Sequence, residues 1–317
     1  MILQVLLLSF ILVIVSIVSD TVTCPVQNKR WADAMQSLES EYRSHKGRGN
    51  ITILFGHIHH AGGTAVCQLA RKNTIANPTS NCNHPNQFSG ANPVTGSTKQ
   101  QLQFQRSTPW KFYMTELKMP KNMIFGGPFL YGIVLRHPYL LLLSQQRRAK
   151  LIHKLNLTVQ QYVALQHHKA ERGGGPHLTA TSNNTLRGQA GFILGRYGAT
   201  NMSDMAIFEA VKRRLDRFSV LLLTEDMVSS GQLFSLKWGW EVDTFGKQRV
   251  NSHGDWTELL DMYKGMSNED KEFMERHTSV DMRIYHYARC VVQRELARVG
   301  HTLGEYSLQY FDDIIAG

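Results

Sequence analysis

Along the chain, short β-branched apolar runs alternate with stretches whose apolar residues recur every three or four positions. Residues 50–55 (NITILF), 110–115 (WKFYMT), 131–135 (YGIVL) and 218–223 each have the length and composition of a buried strand. The spacing predicts helices over 31–46 on Met35, Leu38 and Tyr42, over 65–72, from Pro138 through Lys154, and over 202–215. Most of 256–299 is also expected to be helical, with Val280, Ile284, Tyr287 and Val291 at helical spacing. Residues 73–109 and 171–188 are rich in Asn, Ser, Thr, Gly and Pro and read as long loops. Strands alternating with helices imply an α/β fold in three layers, with a mainly parallel central sheet flanked by helices.

The N-terminus is different. Ile2 to Val18 are apolar except for Gln4, Ser9 and Ser16. That run is at the short limit for a bilayer span of roughly 20 residues, and long for the core of a cleaved signal. Both readings stay open: a single-pass type II anchor with a lumenal domain in the Golgi membrane, or secretion after cleavage near Ser19. The expected organisation is a signal-anchor or signal peptide over 1–19, a stem and leading helix over 20–49, the main domain over 50–300 and a tail over 301–317. Sequons at Asn50, Asn156, Asn183 and Asn201 agree with a lumenal glycoprotein, weakly, since sequons also arise by chance. Of the four cysteines, Cys67 and Cys82 are close in sequence and flank a loop-like stretch. They are the best candidate disulfide, with Cys24 and Cys290 left to pair or stay free. His57, His59 and His60 cluster without a Cys or carboxylate at a regular ligand spacing, so no metal is expected.

Composition changes the picture in one respect. The balance of 42% hydrophobic and 19% charged residues is that of an ordinary globular protein, but the formal net charge is +10. Such a surface favours anionic partners. Directly after the first strand, Gly62 and Gly63 allow backbone N–H groups to approach an anion, and Thr64 adds a hydroxyl at the start of the following helix. Taken alone, this is equally an ordinary turn between strand and helix.

The loop His57-Ile58-His59-His60-Ala61-Gly62-Gly63-Thr64 resembles the donor-binding loop of membrane-associated (Golgi-type) sulfotransferases, a family that includes carbohydrate sulfotransferases and has a P-loop-type nucleotide-binding fold. That loop reads roughly His-Ile-Pro-Lys-Thr/Ala-Gly-Gly-Thr. Leu135-Arg136-His137-Pro138 through Ser144 resembles the second family motif, Leu-Arg-Asp-Pro-x-x-Arg-x-x-Ser, with the same spacing from Arg to Ser. Weaker echoes are Phe218 to Glu225, and Asp281 to Tyr285 against Asp-x-x-Leu-Tyr. The resemblance implies transfer of a sulfuryl group from 3′-phosphoadenosine 5′-phosphosulfate, as co-substrate, to a glycan hydroxyl or, as the lesser expectation, a protein tyrosine. It implies donor contacts from His60, Ala61, Gly62, Gly63, Thr64 and Ala65 around the 5′-phosphosulfate, and from Arg136 and Ser144 at the 3′-phosphate.

Three positions depart from the family pattern: His60 stands where the family has Lys, His137 where it has Asp, and Leu141 where it has a second Arg. The family Lys supports charge on the leaving phosphate. An unperturbed imidazole is only about a quarter protonated at pH 7, so His60 is a weaker, pH-dependent substitute. A lumenal nucleotide- or glycan-binding protein that retains the fold without turnover is the alternative. For the base that takes the acceptor's proton, Glu116 at the end of the second strand is the first candidate and His59 the second. Arg187 is a further candidate near donor or acceptor. Trp238 and Trp240 read as core, and the Arg147-Arg148 and His167-His168 pairs as solvated helix faces. The absence of GxxxxGK[ST] and of GxGxxG after the first strand disfavours a nucleoside triphosphatase and a nicotinamide dehydrogenase.

Overall fold

Four of the apolar runs pair side by side, all in one direction, and are buried along their whole length, as parallel strands covered on both faces must be. A computed structural model describes residues 29–58, 61–79, 82–83, 97–116, 118–125, 127–153, 157–164, 185–186, 188–195, 198–199, 201–242, 245 and 253–303. In chain order the named elements are α1 (Lys29–Ser44), β1 (Thr52–His57), α2 (Gly63–Asn73), α3 (Thr98–Ser107), β2 (Phe112–Thr115), β3 (Phe129–Leu135) and α4 (Pro138–His153). There follow β4 (Thr185–Leu186), α5 (Gly188–Leu194), β5 (Gly198–Ala199), α6 (Asp204–Leu215), β6 (Val220–Leu223), a 3-10 turn (Thr224–Asp226), α7 (Met227–Trp238), α8 (His253–Lys264) and α9 (Asn268–Ala297). The central sheet has the order β2-β1-β3-β6, and β4 and β5 form a separate antiparallel pair. The fold is the expected three-layer α/β architecture.

Aromatic side chains make the densest part of the core. Phe55 of β1 sits 6.2 Å from Phe112, 5.8 Å from Phe234 and 6.4 Å from Trp238, ring centre to ring centre. Trp238 and Trp240 are both buried there, as their reading as core residues requires. A second apolar cluster joins α4 to α8 and α9 through Tyr139, Leu140, Leu142, Leu143, Leu259, Leu260 and Met274.

Several boundaries differ from the pattern reading, each for a local reason. The 73–109 stretch contains α3, because Ser97 and Gln100 form a capping box that starts a helix too polar to show by hydrophobic period. The C-terminal helical stretch is two helices, α8 and α9, separated at Gly265–Ser267, where the Ser267 hydroxyl accepts from the Asp270 N–H. The short α5 and the largely buried α7 carry no amphipathic signature that a periodicity scan would find. Residues 171–184 and 187 lie outside the described residues, as do 2–18; among the described residues no helix is long and apolar enough to cross a membrane.

The leading helix is part of the core. Met35 and Tyr42 are buried, and Arg43 donates from Nη1 to the Leu236 and Lys237 carbonyls at the end of α7, at 3.2 and 2.9 Å. Glu39, also buried, accepts from the Ser219 hydroxyl at 2.7 Å, and that hydroxyl accepts from the Trp238 indole at 2.8 Å. Lys237 lies 3.7 Å from Glu39 and 2.9 Å from Glu295 of α9, at a cavity of about 270 Å3. Burial pushes the Glu39 carboxyl up, and Lys237 pulls it back.

A disulfide joins Cys67 of α2 to Cys82, the expected pair. Cys290 is disulfide-bonded as well, which removes the free alternative for it; Cys24 lies outside the described residues. Phe55→Ala should lower the unfolding free energy by about 3–5 kcal/mol, the usual cost of deleting a fully buried ring, measured as a reduced urea midpoint at unchanged slope.

Candidate functional site

The connection leaving β1 runs to β2 on one side, while β3 lies on the other side of β1 and leads outward to β6. Chain direction across the sheet therefore reverses between β1 and β3, and in open α/β sheets the crevice at such a point, beyond the carboxyl ends of the strands, is where ligands bind. The parallel register sets His57 of β1 beside Val134 of β3, so the segments leaving these strands, one with Gly62 and Gly63 and the other with Arg136, emerge as neighbours.

Both glycines are needed sterically. Gly62 has φ +80°, the left-handed region that a Cβ disfavours, and its Cα faces the Met227 methyl of α7. A Cβ on Gly63 would fall 2.1 Å from Cδ2 of His57, so the buried imidazole packs directly on the glycine backbone. No side chain caps α2, whose N-cap is Gly62; its first-turn amides and the helix dipole face the strand ends, an arrangement suited to an anion. Thr64 is exposed there, Ala65 half-buried and Ala61 buried. His59 and His60 lie outside the described residues, as does Arg187.

On the β3 side, Arg136 is buried and its Nη1 donates to the Ser144 hydroxyl of α4 at 3.2 Å, which brings together two residues that the motif resemblance implies should share a ligand. The Arg136 backbone is clamped from both sides: its N–H donates to Oε1 of Gln189 at 3.3 Å, and its carbonyl accepts from Nε2 of Gln189 at 2.9 Å. Gln189 is in turn held by Asp281 of α9, whose carboxylate accepts from the Gln189 and Ala190 N–H groups at 3.1 and 3.0 Å and so caps α5. Burial pushes the Asp281 carboxyl up to about 7, with the Ala190 and Gln189 amides acting against it.

Glu225, in the turn after β6, accepts from the His137 N–H at 2.9 Å and from the Tyr285 hydroxyl at 2.8 Å. Burial pushes its carboxyl up, and the Arg136 guanidinium opposes the rise. The His137 ring is buried, 5.3 Å from both the Tyr139 and Tyr285 rings. Burial, reinforced by His286, Arg136 and Arg289, pushes it down to about 3. His137 is therefore neutral at any physiological pH. It supplies packing there, and it brings no negative charge to Arg136.

Glu116 ends β2, and the register that sets Thr115 beside Gly56 puts it next to His57. Its Oε1 is 3.9 Å from Nε2 of His57, and its Oε2 accepts from Nδ2 of Asn83 at 3.1 Å. The carboxylate thus stands at the same strand ends as the glycine turn. His57 and Asn83 were not expected here. His57 reads in sequence as part of a histidine cluster and as the start of the glycine loop, with no role of its own, and Asn83 lies in a stretch with no pattern at all. Gln189 is likewise invisible in sequence, whereas Asp281, Tyr285 and Glu225 fell within the weaker motif echoes.

Among the described residues no group of three or more His, Cys, Asp or Glu side chains is placed to hold a metal ion. Arg147 forms an ion pair with Glu258 at 2.7 Å on the outer side of α4, and Asn50 and Asn201 are exposed; Asn156, Asn183, Arg148 and the His167-His168 side chains lie outside the described residues. Comparison of the chain with protein-family models, with curated proteins and with solved structures found no match.

Because Asp281 carries a higher pKa folded than unfolded, the native state holds the extra proton between the ordinary carboxylate range and about 7. Its contribution to stability is complete below that window and is lost as pH rises through it. Urea midpoints across pH 4–8 should therefore show a falling component with rising pH that Asp281→Asn removes.

Proposed function

We propose that the chain transfers a sulfuryl group from 3′-phosphoadenosine 5′-phosphosulfate to a hydroxyl of a glycan in the secretory pathway. The observation that carries this reading is the Arg136–Ser144 contact on the strand adjoining an uncapped Gly-Gly helix start, at the switch point of the sheet. Two anion-binding elements on neighbouring strands suit a ligand with two separated phosphate-type groups. The first-turn amides of α2 receive the 5′-phosphosulfate, and the Arg136 fork with the Ser144 hydroxyl receives the 3′-phosphate. The Gln189 clamp keeps the Arg136 backbone from shifting, so less order has to be imposed on binding.

In the reaction the acceptor hydroxyl oxygen forms a bond to sulfur as the bond from sulfur to the bridging phosphate oxygen breaks. The hydroxyl proton passes to Glu116, and negative charge grows on the departing 5′-phosphate. The amides at the start of α2 stabilise that charge, and His60, when protonated, adds to it in place of the family lysine. Beyond Glu116, Lys118 and Lys121 are exposed on a segment held by a 2.9 Å bond from the Met119 N–H to the Phe192 carbonyl, and by Arg214, which donates to the Pro120 and Lys121 carbonyls, both at 2.6 Å. With the net charge of +10, this rim suits an acceptor that is already anionic. An apolar anchor over 2–18 with a lumenal, glycosylated domain in the Golgi fits the same reading.

Calorimetric titration with 3′-phosphoadenosine 5′-phosphate tests the nucleotide site. Arg136→Ala should weaken binding about ten- to a hundredfold, the effect of losing a charge-assisted contact; unchanged affinity would remove the assignment. With labelled donor and a panel of polysaccharides, Glu116→Gln should lower turnover about 10²- to 10⁴-fold while leaving nucleotide affinity intact. Turnover should rise in His60→Lys. Nucleotide binding without transfer in either the natural chain or His60→Lys would favour the non-catalytic alternative.

A further inference from the structure

Glu116 stands at the end of an edge strand, where backbone order is ordinarily lowest and a carboxylate has three side-chain torsions to wander through. Its Oε2 is nevertheless held by the Asn83 amide, which leaves Oε1 toward His57. What holds Asn83 is a compact piece of chain packed on the outer edge of β2. Asn83 forms an isolated parallel bridge with Met114, and the Met114 N–H donates to the Cys82 carbonyl at 2.8 Å. The Asn83 carbonyl accepts from the Thr79 hydroxyl at 2.7 Å, the Cys82 N–H donates to the Thr79 carbonyl at 2.8 Å, and Arg71 of α2 donates to the Pro78 carbonyl at 3.0 Å.

Cys82 itself has φ +53°, a conformation that a residue with a Cβ disfavours and that persists only where the surroundings impose it. Its disulfide to Cys67, one turn into α2, is the covalent constraint at that point. The same helix begins at the Gly62-Gly63 turn, so one crosslink ties the anion-binding helix start to the segment that presents Asn83.

We propose that Asn83 is a positioning residue for Glu116, and that the Cys67–Cys82 disulfide keeps it in place. The inference rests on Glu116 being the working carboxylate of the proposed transfer. A neutral amide donor favours the ionised carboxylate and selects one rotamer of it, with Oε1 turned toward His57. Of the titratable and charged groups near it, His57 at the end of β1 has its Nε2 3.9 Å from Oε1, and the exposed Lys118 follows two residues on in the chain; His59 and His60 lie outside the described residues.

The test reads the Glu116 titration itself and needs no transfer activity. The full chain is labelled with ¹³C at the glutamate carboxyls, and the Glu116 signal is assigned by its loss in Glu116→Gln. Asn83→Ala should raise the Glu116 midpoint by about one pH unit. Asn83→Ser, which keeps a short donor, should return part of the shift, and Asn83→Asp should raise it further. The double variant Cys67→Ser/Cys82→Ser, with Asn83 intact, should raise the midpoint by an amount comparable to Asn83→Ala. An unchanged midpoint in Asn83→Ala, or a midpoint in Asn83→Ser shifted as far as in Asn83→Ala, with the native amide spectrum retained, overturns the positioning role. A shift in Asn83→Ala with none in the double serine variant overturns the part given to the disulfide. Full transfer activity in Glu116→Gln would instead sink the catalytic reading of Glu116, a separate failure.

Discussion

The parallel pairing of β1 with β3 places everything else at the strand ends. Its register runs from Thr52 beside Phe129 to His57 beside Val134, so the two strands finish together and hand their chains to adjacent loops. A slip of one residue would turn every side chain of β1 to the opposite face. Phe55 would leave the aromatic cluster, and His57 would leave the face of Gly63. The geometry at the strand ends is therefore a property of the core, and its precision is that of side-chain packing.

How much of this could be read from sequence depends on the kind of interaction. Strands built from β-branched and aromatic runs were visible because each is buried on both faces and so reads as unbroken apolar sequence. Gly62, Gly63, Arg136 and Ser144 were visible because spacing within one strand-turn-helix unit is local, and the Cys67–Cys82 pair because the two cysteines bracket a single stretch. The clamp by Gln189, the capping of α5 by Asp281 and the approach of Asn83 to Glu116 were not. Those contacts span sequence separations of 53, 92 and 33 residues, and no local spacing links their partners. Gln, Asn and Asp are common in loops, and only the folded chain shows which of them face a partner. α3 was missed for a related reason: its start is specified by the hydrogen bonds of Ser97 and Gln100, not by an apolar face.

Behind Arg136 the structure spends an unusual amount of buried polarity. Gln189, Asp281, Glu225, His137 and Tyr285 are all enclosed, and hydrogen bonds or ring contacts link them into one set around the end of β3. Such a network adds little net stability compared with apolar packing of the same volume, but it tolerates few arrangements. That is the property wanted of a support for a guanidinium whose orientation matters. The neutral His137 ring fills space in this set without adding charge.

The docking of α1 has a consequence for synthesis. Arg43 bonds to the carbonyls of Leu236 and Lys237, 193 and 194 residues further along, and Glu39 bonds to Ser219, 180 residues further along. At about 5–20 residues per second, the ribosome needs roughly ten to forty seconds to supply those partners. Through that interval α1 carries its apolar residues, and a carboxylate destined for burial, with nothing to cover them. The nascent chain is thus a natural client for chaperones until near the end of translation. The loop closed by α1 is also among the longest in the protein, which marks its docking as a late event in folding.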